Sequence, residues 1–182
     1  MRDFRQSAIS ILGSTGSIGR QTLEVAEALG VRVKALSADK NIELLEQQTR
    51  KFRPVVAAVF DESAARDFRV RVRDIDVRVY SGMDGLVEVS RAEGADTVVT
   101  AVVGMAGLIP TLAAIELGRR IALANKETLV CAGELVMSRA DEAGAEIIPV
   151  DSEHSAILQC IGAKLPVSVR RIILTASGGP FR

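Results

Sequence analysis

Apolar runs and amphipathic stretches alternate along this chain with a regular grammar. The runs "AISIL", "VRVKALSA", "PVVAAVF", "DVRVY", "ADTVVTAV", "RRIALAN" and "AEIIPV" are short and rich in β-branched residues. Such runs predict strands, and the mostly apolar ones predict strands buried on both faces. Between most of them the apolar positions recur at helical spacing, in "SIGRQTLEVAEAL", "IELLEQQTRKF", "AGLIPTLAAIELG" and "ETLVCAGELVMSRADEAG". Strand-helix alternation of this kind predicts an α/β fold: a doubly wound parallel sheet, Rossmann-like, with helices on both faces. After "AEIIPV" the grammar changes to an acid-led helix, "DSEHSAILQCIGA", and a strand with a glycine turn, "VRRIILTASGGPFR". A domain boundary is expected near Val150. The last segment is too short for its own core and reads as the beginning of a second domain.

Composition changes this picture little. Of 182 residues, 48% are hydrophobic, enough for one well-buried core, and 23 basic residues balance 23 acidic ones. That balance argues for neither nucleic acid nor an anionic membrane as partner. The densest charged run, "DFRVRVRDIDVRV", alternates in sign and reads as solvated surface. No apolar run reaches membrane-spanning length, and the first residues lack the apolar segment of a signal peptide. Cys131 and Cys160 stand in apolar helical contexts. They predict buried free thiols in a reducing cytoplasm rather than a disulfide framework.

Four polar clusters carry the candidate chemistry. "ISILGSTGSIGRQTL" reads strand, glycine turn, helix, with Gly13, Gly16 and Gly19 three apart. Gly13 permits a tight turn, Gly16 lets a pyrophosphate approach the backbone, and Gly19 lets helix and strand pack closely. The amides of the helix start then face the anion, with hydroxyls from Thr15 and Ser17. The alternative is a βα turn that merely needs small residues. At the end of the second strand, Lys40 and Asn41 suit either a 2′-phosphate, which favours NADP, or a helix cap. Asp39 beside them would repel such a phosphate unless it points away. In "LANKETLVCAGE", Asn125, Lys126 and Glu127 end a buried strand, either as a helix cap or as the floor of an active site. In "PVDSEH", Asp151 and Glu153 either bind a hard divalent cation or open a helix with favourable charge. His154, the only histidine, receives no catalytic role.

Together, "GSTGSIG", "LANKE", "PVDSEH" and "SGGPF" resemble, in order and spacing, the family of 1-deoxy-D-xylulose 5-phosphate reductoisomerase, over Ile9 to Arg182. The resemblance implies an NADPH-binding domain over residues 1–150 and the beginning of an α+β catalytic, metal-binding domain over 151–182. It implies an enzyme of non-mevalonate isoprenoid biosynthesis that uses NADPH and Mg²⁺ or Mn²⁺ to make 2-C-methyl-D-erythritol 4-phosphate, cytoplasmic and homodimeric. Position by position, it implies cofactor contacts at Thr15, Gly16, Ser17, Ile18, Lys40, Asn41, Asn125 and Glu127. It implies substrate contacts at Lys126, Ser152, Glu153 and Ser177, metal ligands at Asp151 and Glu153, and catalytic roles for Lys126 and Glu153. The family more often has a small residue where this chain has Asp39. Full-length members run on for about as long again, so the chain alone is also read as an NADP-binding module without turnover.

Overall fold

The computed structural model of the chain describes residues 7–162, 169–171 and 173. It divides into two compact units, Met1–Asp151 and Ser152–Arg182. In the first unit the elements run β1 (Ala8–Leu12), α1 (Ser17–Leu29), β2 (Arg32–Ala38), α2 (Ile42–Phe52), β3 (Val56–Val59), α3 (Glu62–Arg71), β4 (Arg78–Ser81), α4 (Gly82–Ser90) and β5 (Thr97–Thr100). A 3-10 turn at Gly104–Gly107 follows, then α5 (Leu108–Ile115), β6 (Arg120–Leu123), α6 (Glu127–Ala143) and β7 (Ile147–Pro149). The second unit contains α7 (Ser152–Ile161). None of the residues of α7 is buried.

The seven strands form one sheet in the order β4-β3-β2-β1-β5-β6-β7, with every pairing parallel. The chain thus builds outward from β1 in one direction through β4, then returns to the other side of β1 and builds outward again. Adjacent residues of a strand point to opposite faces, and the core divides accordingly. Ile11, Ala57 and Val99 join α1, α2 and α3 through Leu23, Leu45 and Phe68. Leu12, Ala58 and Val98 join α4, α5 and α6 through Leu86, Ile115 and Val136. The doubly wound expectation is met in full. No helix among the described residues is long and apolar enough to cross a membrane.

Three local expectations need correction. The "DFRVRVRDIDVRV" run is not wholly surface: Phe68, Val72 and Ile75 are buried in the core, while its charged positions and Val70 face solvent. The run begins in α3 and ends in β4, so its alternating charges hide a change of period from helical to extended. α4 was absent from the helical patterns because it carries two glycines. Gly85 fits closely there: a Cβ would stand 3.1 Å from the Ala58 Cβ and 3.1 Å from the Tyr80 backbone, so its neighbours would have to give by a few tenths of an ångström. Cys131 and Cys160 are free but exposed rather than buried. α6 buries Thr128, Val136 and Ala140, which leaves Cys131 off its packed side.

Charge stitches α2 to α3. Arg50 pairs with Glu46 at 2.9 Å and with Asp74 at 2.8 Å, and Arg71 pairs with Glu46 at 3.1 Å. These pairs hold the Glu46 carboxyl below its ordinary range, Arg50 first and Arg71 second. The expected energetic weight nonetheless lies beneath them, in Phe68. Phe68→Ala should lower stability by about 3–5 kcal/mol in urea unfolding. Arg69→Ala, one residue on, should change it by less than about 0.5 kcal/mol.

Candidate functional site

In a doubly wound sheet the loops after the two central strands part in opposite directions and leave a crevice at the carboxyl edge. Here those strands are β1 and β5. A groove of about 360 Å³ lies at that place, lined among others by Gly13, Thr15, Gly16, Asp39, Ala101 and Val103.

The three glycines of the β1 turn divide by what requires them. Gly13 has φ +82°, and a Cβ there would meet the Ala101 carbonyl oxygen at 2.6 Å. At Gly19 a Cβ would lie 2.5 Å from the Ser14 Cα and closer still to the Gly13 oxygen. Both are needed for the protein to close upon itself. Gly16 is different. Its φ of −73° suits any residue, and a Cβ would approach nothing nearer than 3.4 Å. The fold does not demand a glycine at 16; its bare backbone faces the groove. As N-cap of α1, Gly16 also offers no side-chain acceptor to the first-turn amides. Those amides are therefore left for an acceptor from outside, as anion sites at helix starts require.

A buried polar clamp fixes this turn. The amides of Gly13 and Ser14 donate to the Ser37 hydroxyl (3.0 Å) and the Ser37 carbonyl (2.8 Å). The Ser14 hydroxyl lies 2.7 Å from Gln48 Oε1, and Gln48 Nε2 donates to the Ser14 carbonyl at 2.9 Å. Ser14, Ser37 and Gln48 are all buried. The sequence reading missed this network. One signal was present: Leu45, Gln48 and Thr49 share the core face of α2, and an amide on an apolar stripe needs partners.

The remaining candidates of the first unit follow carboxyl ends of strands or open helices, without all entering the groove. Thr15 lines it. Ser17 is exposed and receives a hydrogen bond from Gln21 Nε2 at 3.2 Å. The Ile18 side chain lines a second groove, between α1 and the sheet, and not the first. Asn41 caps α2, accepting from the Leu44 amide at 3.1 Å. Lys40 lies 3.6 Å from Asp61, and Asp61 caps α3 through the Ala64 amide at 2.9 Å. That amide bond first, and Lys40 after it, hold the Asp61 carboxyl below the usual carboxylate range.

Asn125 is 2% exposed and fully engaged. Its Nδ2 donates to the carbonyls of Val102 and Gly104, each at 2.7 Å. Its Oδ1 accepts from the amide and hydroxyl of Thr128, each at 3.1 Å. Asn125 thus starts α6 and holds the loop that walls the groove. Lys126 and Glu127 are exposed beside it. Asp151 follows β7. In the second unit the Ser152 hydroxyl donates to Glu153 Oε2 at 2.9 Å. Among the described residues no group of three His, Cys, Asp or Glu side chains forms a candidate metal cluster. Ser177 lies outside the described residues.

Sheet order, switch-point groove and glycine turn define the class: a Rossmann-like, doubly wound domain with its crevice at the carboxyl edge. The family model of 1-deoxy-D-xylulose 5-phosphate reductoisomerase matches residues 9–133, and the model of that enzyme's C-terminal domain matches residues 147–182. The chain belongs to the 1-deoxy-D-xylulose 5-phosphate reductoisomerase family. It is 56% identical over 174 residues to the reductoisomerase of Ruminiclostridium cellulolyticum, covering 96% of this chain and 46% of that protein. The Zymomonas mobilis enzyme, solved in complex with NADPH, superimposes with a TM-score of 0.90 at 43% identity, over 97% of this chain and 47% of its own. A reductoisomerase solved with NADPH, fosmidomycin and magnesium gives 0.82 at 42% identity, over 86% of this chain and 39% of its own. The chain therefore spans about half the length of the relatives it matches.

The different roles of the glycines are open to a direct check. Gly19→Ala should cost about 3 kcal/mol of stability, because backbone cannot retreat from the new methyl. Gly16→Ala should cost no more than about 1 kcal/mol. Thermal melts in which Gly16→Ala is the more damaging would overturn the assignment of Gly16 to the groove.

Proposed function

We propose that residues 1–150 are the NADPH-binding domain and residues 151–182 the start of the catalytic, metal-binding domain of an enzyme converting 1-deoxy-D-xylulose 5-phosphate to 2-C-methyl-D-erythritol 4-phosphate. The observation that carries this reading is Gly16: a glycine the fold does not need, at the floor of a switch-point groove, in a member of this family. When bound, NADPH supplies a hydride and Mg²⁺ or Mn²⁺ supplies Lewis acidity.

The chain's own residues supply binding and orientation. Thr15, Gly16, Ser17 and Ile18 offer amides and hydroxyls to the pyrophosphate. Lys40 and the Nδ2 of Asn41, whose Oδ1 is spent on the α2 cap, point to the 2′-phosphate. Asn125 acts through the Val102–Gly104 loop it holds, and Glu127 orients the nicotinamide half. Lys126 places positive charge near the substrate oxygens and stabilises the negative charge that develops there. Ser152 and Ser177 hold the substrate, while Asp151 and Glu153 provide carboxylates to the cation. We infer further that the whole enzyme is a cytoplasmic homodimer acting on this small sugar phosphate.

Two carboxylates without a third candidate ligand among the described residues make a weak cation site. Mg²⁺ or Mn²⁺ titrated into the chain should bind weakly, and Asp151→Asn should weaken it further; tight binding unaffected by that change would overturn the ligand assignment. Calorimetry should show NADPH binding to the 182-residue chain, and Gly16→Val should weaken it at least about tenfold while the fold persists. Undiminished binding by Gly16→Val would overturn the groove as the cofactor site. With cofactor held but the cation held weakly, the chain alone should show no turnover. A steady loss of nicotinamide absorbance with 1-deoxy-D-xylulose 5-phosphate would overturn that part of the reading.

A further inference from the structure

We propose that Gln48, on α2, is a positioning residue for the cofactor: by holding the Ser14 carbonyl it aims the Thr15 amide at the groove. This deepens the cofactor reading above and rests on it.

Gln48 lines no part of the groove, whereas Thr15 does. Gln48 is 6% exposed and meets the β1 turn at two atoms of Ser14. Its Nε2 donates to the Ser14 carbonyl at 2.9 Å, and the Ser14 hydroxyl donates to its Oε1 at 2.7 Å. A carbonyl can only accept, so the nitrogen end of the amide must face it. The same side chain thus offers a donor to one atom of Ser14 and an acceptor to another. A buried position next to an apolar stripe tolerates an amide only when both ends are paired in this way.

The effect on the turn follows from the shape of a peptide bond. The Ser14–Thr15 peptide is trans and planar, so its N–H points opposite to its C=O. With the Ser14 carbonyl held toward Gln48, the Thr15 amide is directed away from α2. That amide is also unspent. The Gly16 amide donates to the Gly13 carbonyl at 3.1 Å inside the turn, while among the described residues the Thr15 amide donates to no backbone carbonyl. An unspent amide beside a helix start makes a strong, charge-assisted bond to a phosphate oxygen. Without the Gln48 donor, the Ser14 carbonyl would be buried and unpaired, which favours turning the peptide plane toward another partner. Turning that plane carries the Thr15 amide off its line.

The test is a titration of the 182-residue chain with NADPH, followed by calorimetry and by amide NMR, in the unmodified form, in Gln48→Met and in Leu45→Ala. Gln48→Met keeps the length of the side chain and removes both bonds to Ser14. Leu45 is fully buried on the same core face of α2, and its truncation loosens the helix while leaving those bonds in place. In the unmodified chain the Thr15 amide resonance should move downfield as NADPH binds, in step with the calorimetric isotherm. Gln48→Met should bind NADPH about tenfold more weakly or worse, with a smaller Thr15 shift. Leu45→Ala should melt earlier yet bind within about threefold of the unmodified chain. If Leu45→Ala loses as much affinity as Gln48→Met, Gln48 acts through stability alone and the proposal is wrong. If NADPH binds the unmodified chain without moving its Thr15 amide, the proposal is wrong and the cofactor reading stands, whether or not Gln48→Met folds. If NADPH does not bind the unmodified chain, the cofactor reading itself falls, and the proposal with it.

Discussion

The contact between the β1 turn and the first turn of α1 is the constraint on which the rest depends. Gly19 rests on the backbone of Gly13 and Ser14 with no room for a methyl group, and Gly13 rests in the same way on the carbonyl of Ala101. These contacts fix where α1 starts and how close β1 comes to the loop after β5. The groove is the space left between them. A few tenths of an ångström more between helix and turn would move the amide-bearing end of α1 away from that space. The clamp of Ser14, Ser37 and Gln48 holds the turn from its other side, so the loop is pinned by sterics on one flank and by hydrogen bonds on the other.

Much of the fold was legible because its signals are local. α1 and α2 begin and end where their apolar periodicity does, and each strand falls within an apolar run, except that β4 extends one residue further to Ser81. What escaped was structure whose signal is mixed or made elsewhere. α3 buries Ala65 and Phe68 amid charged neighbours, so its pattern is swamped. α4 owes its place to the shape of β3 and β4 against Gly85, which no window of α4 contains. The thiols show the converse error, since an apolar neighbourhood in sequence does not say which side of a helix faces the core.

The site divides along the same line. The glycine turn was readable because the need for glycine is a property of a few consecutive residues. The clamp was not, because Ser14 and Gln48 meet across 34 positions. Asn125 stood between two readings, helix cap and active-site floor, and the structure shows why the sequence could not choose. It caps α6 through Thr128 and, with the same amide group, ties down carbonyls 21 and 23 residues earlier. Gly107 is shaped by it too, since a Cβ there would meet the Asn125 amide nitrogen at 2.7 Å. One side chain thus couples the start of a helix to the wall of the groove.

The parallel sheet also makes the two rims of the molecule unequal in evolution. With all strands pointing one way, every groove residue falls at the carboxyl rim. The connections at the amino rim, such as those around Gly30, Arg53, Gly118 and Gly144, line no part of the groove. An insertion there meets mainly the logarithmic cost of closing a longer loop, about 0.6 kcal/mol for each doubling. Lineages can therefore lengthen, recharge or decorate that rim with little penalty, and a fluorophore or surface tether can be attached there. The opposite rim is held residue by residue by the contacts of the glycine turn and of Asn125.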